Sequence, residues 1–259
     1  MSDQRTFLSV GALLSAASAA VTIAWCAAMS AMGGMAMPGG WTMSMAWMRM
    51  PGQTWPDAAV SFLAMWAVMM AAMMLPSLLS MLWRYRQAVG RTGEMRLGFL
   101  TVLVGAGYFF VWTAVGMAIF PLGVALAAVS MELPPLARAV PIAAGGVVLI
   151  AGALQFTKWK ARHLACCREA PGRDRQLPAD AGMAWRHGVS LGLHCSACCA
   201  NLTAILLVLG VMDLGAMAVV TAAITAERLA PAGERIARVL GAVAVGAGLV
   251  LIVRAVGLA

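Results

Sequence analysis

Seven stretches of the chain are apolar over nearly the length of about 20 residues that a helix needs to cross a bilayer. They cover residues 7–28, 58–83, 97–120, 140–157, 188–210, 212–226 and 236–256. Backbone in lipid must satisfy its own hydrogen bonds, and the sequence lacks the alternating pattern of barrel strands. We therefore predict an all-α fold, a polytopic transmembrane helical bundle with about seven spans, or six if the first stretch is a cleaved signal.

The charges of the chain argue against a soluble fold and indicate an orientation. Charged residues make up 11% of the chain and apolar residues 62%, whereas a soluble domain carries about a quarter charged residues. With the N-terminus inside, all but three of the 18 Lys and Arg lie on the inner side, the exceptions being Arg49, Arg138 and Arg254. The positive-inside rule then predicts a multi-pass membrane protein with its N-terminus inside. The lipid bilayer is the first partner that the sequence predicts. The topology accounts for the basic segments without a nucleic-acid partner.

The apolar stretches divide the chain into three predicted regions. Residues 1–28 are predicted to form an N-terminal transmembrane anchor, residues 29–57 a Met-rich outer loop, and residues 58–257 a helical membrane domain. That domain includes a basic, Cys-containing inner loop at 158–187. The first stretch has few charges before it and a longer apolar run than a signal core, which favours a retained anchor over a cleaved signal.

Methionine is concentrated in the first outer loop and in the second apolar stretch. The loop contains Met43 and Met45 among glycines that disfavour a long helix, so these side chains are not expected to pack in a core. Thioether sulfur is a soft, neutral ligand that suits Cu(I), although an interfacial belt of Met and Trp would also explain the loop. In the second stretch, Met69, Met73 and Met74 belong to a stripe that packing alone would explain.

Cysteine and histidine cluster in the second half of the chain. The fifth stretch carries His194, Cys195, Cys198 and Cys199, and on a helix positions four apart lie on one face. Thiols at this spacing can hold one metal ion, copper or zinc, and a reducing compartment disfavours disulfides. The basic inner loop adds His163, Cys166 and Cys167 as candidate ligands.

Depth in the membrane relates the two sulfur groups. Counted from the inner ends of their stretches at 1.5 Å per residue, Met73 and Met74 lie about 13 Å deep and residues 195–199 about 10–16 Å. A row of small residues that begins at Gly188 would let a neighbouring helix approach closely, and the sequence leaves open whether that helix is the second stretch. The pair Glu227-Arg228 is either functional or a solvated helix end.

Four segments carry a resemblance to a known family. They are residues 65–77, Cys167-Arg168, residues 195–199 and Glu227-Arg228-Leu229-Ala230-Pro231. In this combination the chain resembles a bacterial family of predicted metal-binding integral membrane proteins, one branch of which is associated with tyrosinases and described as a copper chaperone. The resemblance implies a helical bundle that binds copper through Met73, Met74, Cys167, Cys195, Cys198 and Cys199. The family has a further Cys four residues before Cys167, where this chain has His163, which is also a metal-binding residue type.

The hypothesis from the sequence is a copper(I)-binding integral membrane protein that acts as a chaperone or relay, with loop methionines that capture or deliver copper. Its partners would be a soluble copper carrier or an extracytoplasmic cuproenzyme. Two alternatives stay open: a thiol–disulfide relay enzyme that uses Cys195 and Cys198, and a membrane scaffold with structural zinc. No nucleotide-binding or Ser/His/Asp motif occurs, which favours a binding protein over an enzyme and assigns no catalytic residue.

Overall fold

The computed structural model describes residues 2–89, 93–168 and 178–257, which fold almost entirely as helices. The helices are α1 (Ser2–Ala31), α2 (Trp55–Val89), α3 (Glu94–Glu132), α4 (Pro134–Leu154), α5 (Lys158–Arg168), α6 (Ala181–Leu209), α7 (Leu214–Leu229) and α8 (Gly233–Gly257). Between α1 and α2 lie two short strands, β1 (Met35–Met37) and β2 (Trp41–Met43), and a 3-10 helix (Met45–Trp47). The predicted all-α fold is confirmed.

Six of these helices, α1, α2, α3, α4, α6 and α8, are long and apolar enough to cross a membrane. The chain is thus a multi-pass membrane protein, as predicted. The stretch 212–226, predicted as a further span, lies in α7, whose 16 residues extend about 24 Å, less than the hydrocarbon core of about 30 Å. Asp213 accepts a hydrogen bond from the backbone N–H of Ala216 at 2.8 Å and so caps the N-terminus of α7.

Glycines allow the closest helix contacts in the bundle. A side chain at Gly188 or Gly192 of α6 would strike the backbone of Val104 or Tyr108 of α3. The small-residue row of the fifth stretch, which lies in α6, therefore packs against α3 rather than against α2. Along these contacts α3 and α6 run side by side, which brings Tyr108 next to the cysteines of α6.

The Met-rich segment between α1 and α2, predicted as an outer loop, contains a β-hairpin in which Met35 pairs with Met43. Gly39 and Gly40 have φ angles of 98° and 74°, which the tight turn requires and which other residues rarely adopt. Met43 is only 2% exposed and packs with Met37 in a small apolar cluster. The expectation that the loop methionines do not pack is wrong for Met43, because the alternation of side chains along the strands turns both residues to the same buried face.

The segment 158–187, predicted as an inner loop, contains two helical parts. Its first residues form α5, and its last residues belong to α6, which begins at Ala181. Residues 169–177, between them, lie outside the described residues. Lys160, Leu164 and Cys167 are the buried residues of α5, and their spacing of four and three places them on one helical face. The basic segment is therefore an amphipathic helix that packs against the bundle.

Candidate metal centre

A buried cluster of thiols lies where α5, α6 and α7 meet beside α2. Helix α6 contributes Cys195, Cys198 and Cys199, and α5 contributes Cys167. Each of these four side chains is at most 3% exposed. The three thiols of α6 share one side of the helix because they are three and four residues apart.

These thiols fall into two pairs. The sulfur atoms of Cys195 and Cys199, one helical turn apart, are separated by 3.9 Å. Cys198, the neighbour of Cys199 on α6, interacts with Cys167 across the interface of α5 and α6. Two sulfurs 3.9 Å apart could both bind one metal ion, since metal–sulfur bonds are about 2.3 Å long.

Buried thioethers of α2 share the apolar core with the thiols. Met70, Met74, Ser77 and Met81 follow one another on α2 at steps of three or four and are all buried. Met73 is buried beside them, and these methionines belong to the same apolar core as the four cysteines. Within the described part of the chain, no three His, Cys, Asp or Glu side chains surround a point that a metal ion could occupy. The centre thus consists of thiol pairs and of thioethers in the same buried core.

The guanidinium of Arg228 joins the methionine face of α2 to the cysteines of α6. Its Nη1 donates to Cys195 Sγ at 3.2 Å and to Ser77 Oγ at 2.8 Å. Its Nη2 donates to Met81 Sδ at 2.9 Å. Because Nη1 contacts Ser77 of α2 and Cys195 of α6, the two helices meet at this guanidinium. Met73 and Met74, which were predicted to lie at the depth of the cysteines, are buried in the same apolar core.

Cys195 has a second polar neighbour on α3. The hydroxyl oxygen of Tyr108 lies 2.9 Å from Cys195 Sγ, and Tyr108 is fully buried. The Tyr108 hydroxyl and the Arg228 guanidinium can both donate to this sulfur. Two such donors stabilise negative charge on a sulfur atom that has no access to water.

A buried ion pair lies on the other side of the cysteines. Lys160 Nζ is 2.6 Å from Glu227 Oε2 and donates to the Cys198 carbonyl at 2.8 Å. Gln155 Nε2 donates to Glu227 Oε1 at 2.7 Å. Lys160 is 1% exposed and Glu227 fully buried. The interpretation of Glu227-Arg228 as a solvated helix end is therefore wrong, because α5 covers the end of α7.

The terminal arginine of α5 holds that helix in place. Arg168 donates to the carbonyls of Glu227 and Pro231 at 2.9 and 3.0 Å. A side chain at Gly233 would occupy the position of the Arg168 guanidinium. The docking holds Cys167 against α6, and interaction with the Cys198 thiol, together with burial, raises the pKa of the Cys167 thiol above its ordinary value.

The two predicted histidines form a pair of their own at the interface of α5 and α6. The rings of His163 and His194 are 5.8 Å apart, and both side chains are half-buried. His194 Nδ1 donates to the Ser190 carbonyl at 2.7 Å, so the neutral ring keeps a lone pair on Nε2. His163 Nδ1 is buried without a hydrogen-bond partner among the described residues. Both rings are thus free to offer a nitrogen to a metal.

The remaining predicted ligands lie apart from the thiols. Cys166 is exposed on α5, whereas its neighbour Cys167 faces inward. Met69 is buried one helical turn before Met73 on α2. Met43 and Met45 lie in and beside the hairpin, near the far end of α2.

Four residues of the centre were not predicted from the sequence as contributors: Tyr108, Lys160, Ser77 and Met81. Lys160 carried a usable signal, since its spacing from Leu164 and Cys167 places a charge on the apolar face of a helix. The positions of the other three depend on how α2 and α3 pack against α6, which their local sequence does not indicate.

The fold and the site define a multi-pass helical membrane protein with a buried centre of thiols and thioethers. The sequence profile of a family described as a copper chaperone, PpoB2, matches residues 63–251. This range includes every thiol and thioether of the centre, and the chain belongs to the PpoB2 copper chaperone family. The resemblance noted from the sequence is thus confirmed. No curated protein and no solved structure matches the chain.

Proposed function

We propose that the buried centre binds copper(I) and that the protein holds this ion as its cargo within the membrane. The observation that carries the proposal is the cluster of four buried thiols, in which Arg228 links Cys195 to Met81 of α2. Thiolate and thioether sulfur are the ligands that select Cu(I). Membership of a copper chaperone family supports the same conclusion.

The ligands we propose are two thiol pairs assisted by neutral thioethers. Cys195 and Cys199 make up the first pair, and Cys198 and Cys167 form the second across the interface of α5 and α6. Met73 and Met74 supply thioethers without adding charge.

Arg228 balances the charge of the loaded centre. Two thiolates and one Cu(I) carry a net negative charge, which is costly to bury without a counter-charge. The Arg228 guanidinium, 3.2 Å from Cys195 Sγ, supplies that positive charge. The contact of the same group with Met81 Sδ helps to hold the guanidinium between α2 and α6.

His163 and His194 serve as ligands during loading. They precede Cys167 and Cys198 by one helical turn each, so the histidine pair and the second thiol pair are neighbours along the same interface. Both histidines are half-buried, whereas the thiols are closed to solvent. Copper(I) would therefore reach the imidazoles first and pass to the thiolates, which hold it more strongly because they are softer ligands.

The same proposal names a membrane location and two protein partners. In a bacterial inner membrane with the N-terminus inside, the basic side carrying α5 would face a soluble copper carrier. An extracytoplasmic cuproenzyme would receive the ion on the opposite side. Thiol–disulfide exchange is less well supported, because it requires a partner thiol to reach the attacking sulfur and the four thiols are at most 3% exposed.

Neighbouring cysteines on α5 allow a matched test of this function. Cys167→Ser should weaken Cu(I) binding at least about tenfold, because it removes a thiolate that faces α6. Cys166→Ser, one residue away on the exposed side, should leave the affinity unchanged. Affinity is measured by anaerobic competition with a Cu(I) chelator in detergent. Equal affinities of the two variants would contradict the proposed ligand set.

A further inference from the structure

A second group of thioethers surrounds a cavity where α1, the outer loop and α2 come together. The cavity has a volume of about 240 Å³. Its lining includes five methionines and one tryptophan: Met29, Met45, Met48, Met50, Met65 and Trp25. Met65 is buried, and the other four methionines are half-buried, so the cavity is accessible from the surface of the protein.

The donor chemistry of this cavity is that of a soft metal site. Five thioethers from α1, the 3-10 helix, the following loop and α2 converge on it, and their flexible side chains can turn sulfur inward. Among the described residues that line it, none carries a charge. Hard cations such as Mg²⁺ and Ca²⁺ prefer carboxylates and other oxygen ligands, whereas thioethers suit Cu(I).

The cavity is connected to the cysteine centre by buried thioethers of α2. Met65 lines the cavity, and Met69 and Met73 follow it at steps of four residues, each at most 2% exposed. Side chains at this spacing are neighbours on a helix surface. Along the axis of α2, Met65 and Ser77 are separated by about 18 Å. Thioethers therefore extend from the cavity to the contacts of Arg228.

We infer that this cavity is a second copper(I) site, built of thioethers alone, at the end of the bundle away from the cysteine centre. The inference rests on the proposed function, since it takes the cargo to be Cu(I). On this inference the loop methionines that capture or deliver copper are Met45, Met48 and Met50. Met43 is not one of them, because it packs inside the hairpin cluster. A thioether site needs no deprotonation and cannot form disulfides, so it suits the oxidising side of a membrane.

The test compares bound Cu(I) per protein, after anaerobic loading in detergent, among variants that separate the two sites. The triple variant Met45→Leu/Met48→Leu/Met50→Leu should bind one ion fewer than the native chain, since leucine keeps the volume and removes the sulfur. The matched control replaces three exposed methionines, Met32→Leu/Met35→Leu/Met95→Leu, and should bind as much as the native chain.

A cysteine variant distinguishes failure of this inference from failure of the proposed function. Cys195→Ser/Cys198→Ser should retain the ion of the cavity, with sulfur coordination by X-ray absorption, and the combined five-site variant should bind none. A triple methionine variant that binds as much Cu(I) as the native chain overturns the second site. If the cysteine variant binds as much Cu(I) as the native chain, the proposed function fails. If only the methionine variant then binds less Cu(I) than the native chain, the copper site in the cavity is still supported.

Discussion

Replacing Cys195 and Cys198 together by serine should lower the affinity of the buried centre for Cu(I) by about a thousandfold or more, equivalent to about 4 kcal/mol. Each substitution removes one member of a thiol pair, Cys195 from its pair with Cys199 and Cys198 from its pair with Cys167. A serine hydroxyl is a hard donor that stays protonated, so it cannot replace a thiolate as a Cu(I) ligand. Anaerobic titration against a Cu(I) chelator of high affinity measures the change.

The control for this experiment is the double variant Cys26→Ser/Cys166→Ser. It removes the same number of thiols from positions outside the cluster, one buried on α1 and one exposed on α5. Its affinity for Cu(I) should equal that of the native chain. An unchanged affinity in Cys195→Ser/Cys198→Ser would show that these thiols do not bind the ion.

Glu227→Gln should destabilise the protein by about 3–5 kcal/mol, because it leaves the Lys160 ammonium buried without its counter-charge. Lys160 is 1% exposed, so water cannot replace the lost carboxylate. For a chain of this size, about 1 kcal/mol corresponds to about 2–4 °C, so the unfolding temperature in detergent should fall by about 10 °C. Because Lys160 also donates to the Cys198 carbonyl, weaker Cu(I) binding should accompany this loss.

A surface ion pair provides the comparison. Glu94→Gln acts on the pair of Glu94 with Arg86, which has an oxygen–nitrogen distance of 3.3 Å and side chains that are 67% and 12% exposed, respectively. Exposed pairs contribute about 0–1 kcal/mol, so the unfolding temperature should change by a few degrees at most. Equal shifts for Glu94→Gln and Glu227→Gln would mean that the buried pair has no special role in stability.

The membrane fold could be predicted from the sequence because long apolar stretches leave few alternatives in lipid. The thiol face of α6 was also predictable, since the spacing of Cys195, Cys198 and Cys199 on any helix places them together. The boundaries of α5 were missed because its run of basic residues resembles an inner loop. Only the burial of Lys160 beside Cys167 reveals the helix as a cover for the site.

What the sequence could not supply is the set of contacts between helices. Arg228 lies in a segment that also fits a solvated helix end, and its role depends on α2 and α6 meeting at its guanidinium. Tyr108 reaches Cys195 because Gly192 lets α3 approach α6. Met43 was misjudged because the hairpin that buries it depends on two glycines with positive φ angles.

X-ray absorption at the metal edge of the purified, copper-loaded protein tests the central claim most directly. The account predicts copper in the +1 state with a shell of sulfur atoms at about 2.3 Å, the distance typical of metal–thiolate bonds. In Cys195→Ser/Cys198→Ser the thiolate part of that shell should be lost. A shell of nitrogen or oxygen atoms in the native protein, or zinc in place of copper under the same loading, would contradict it.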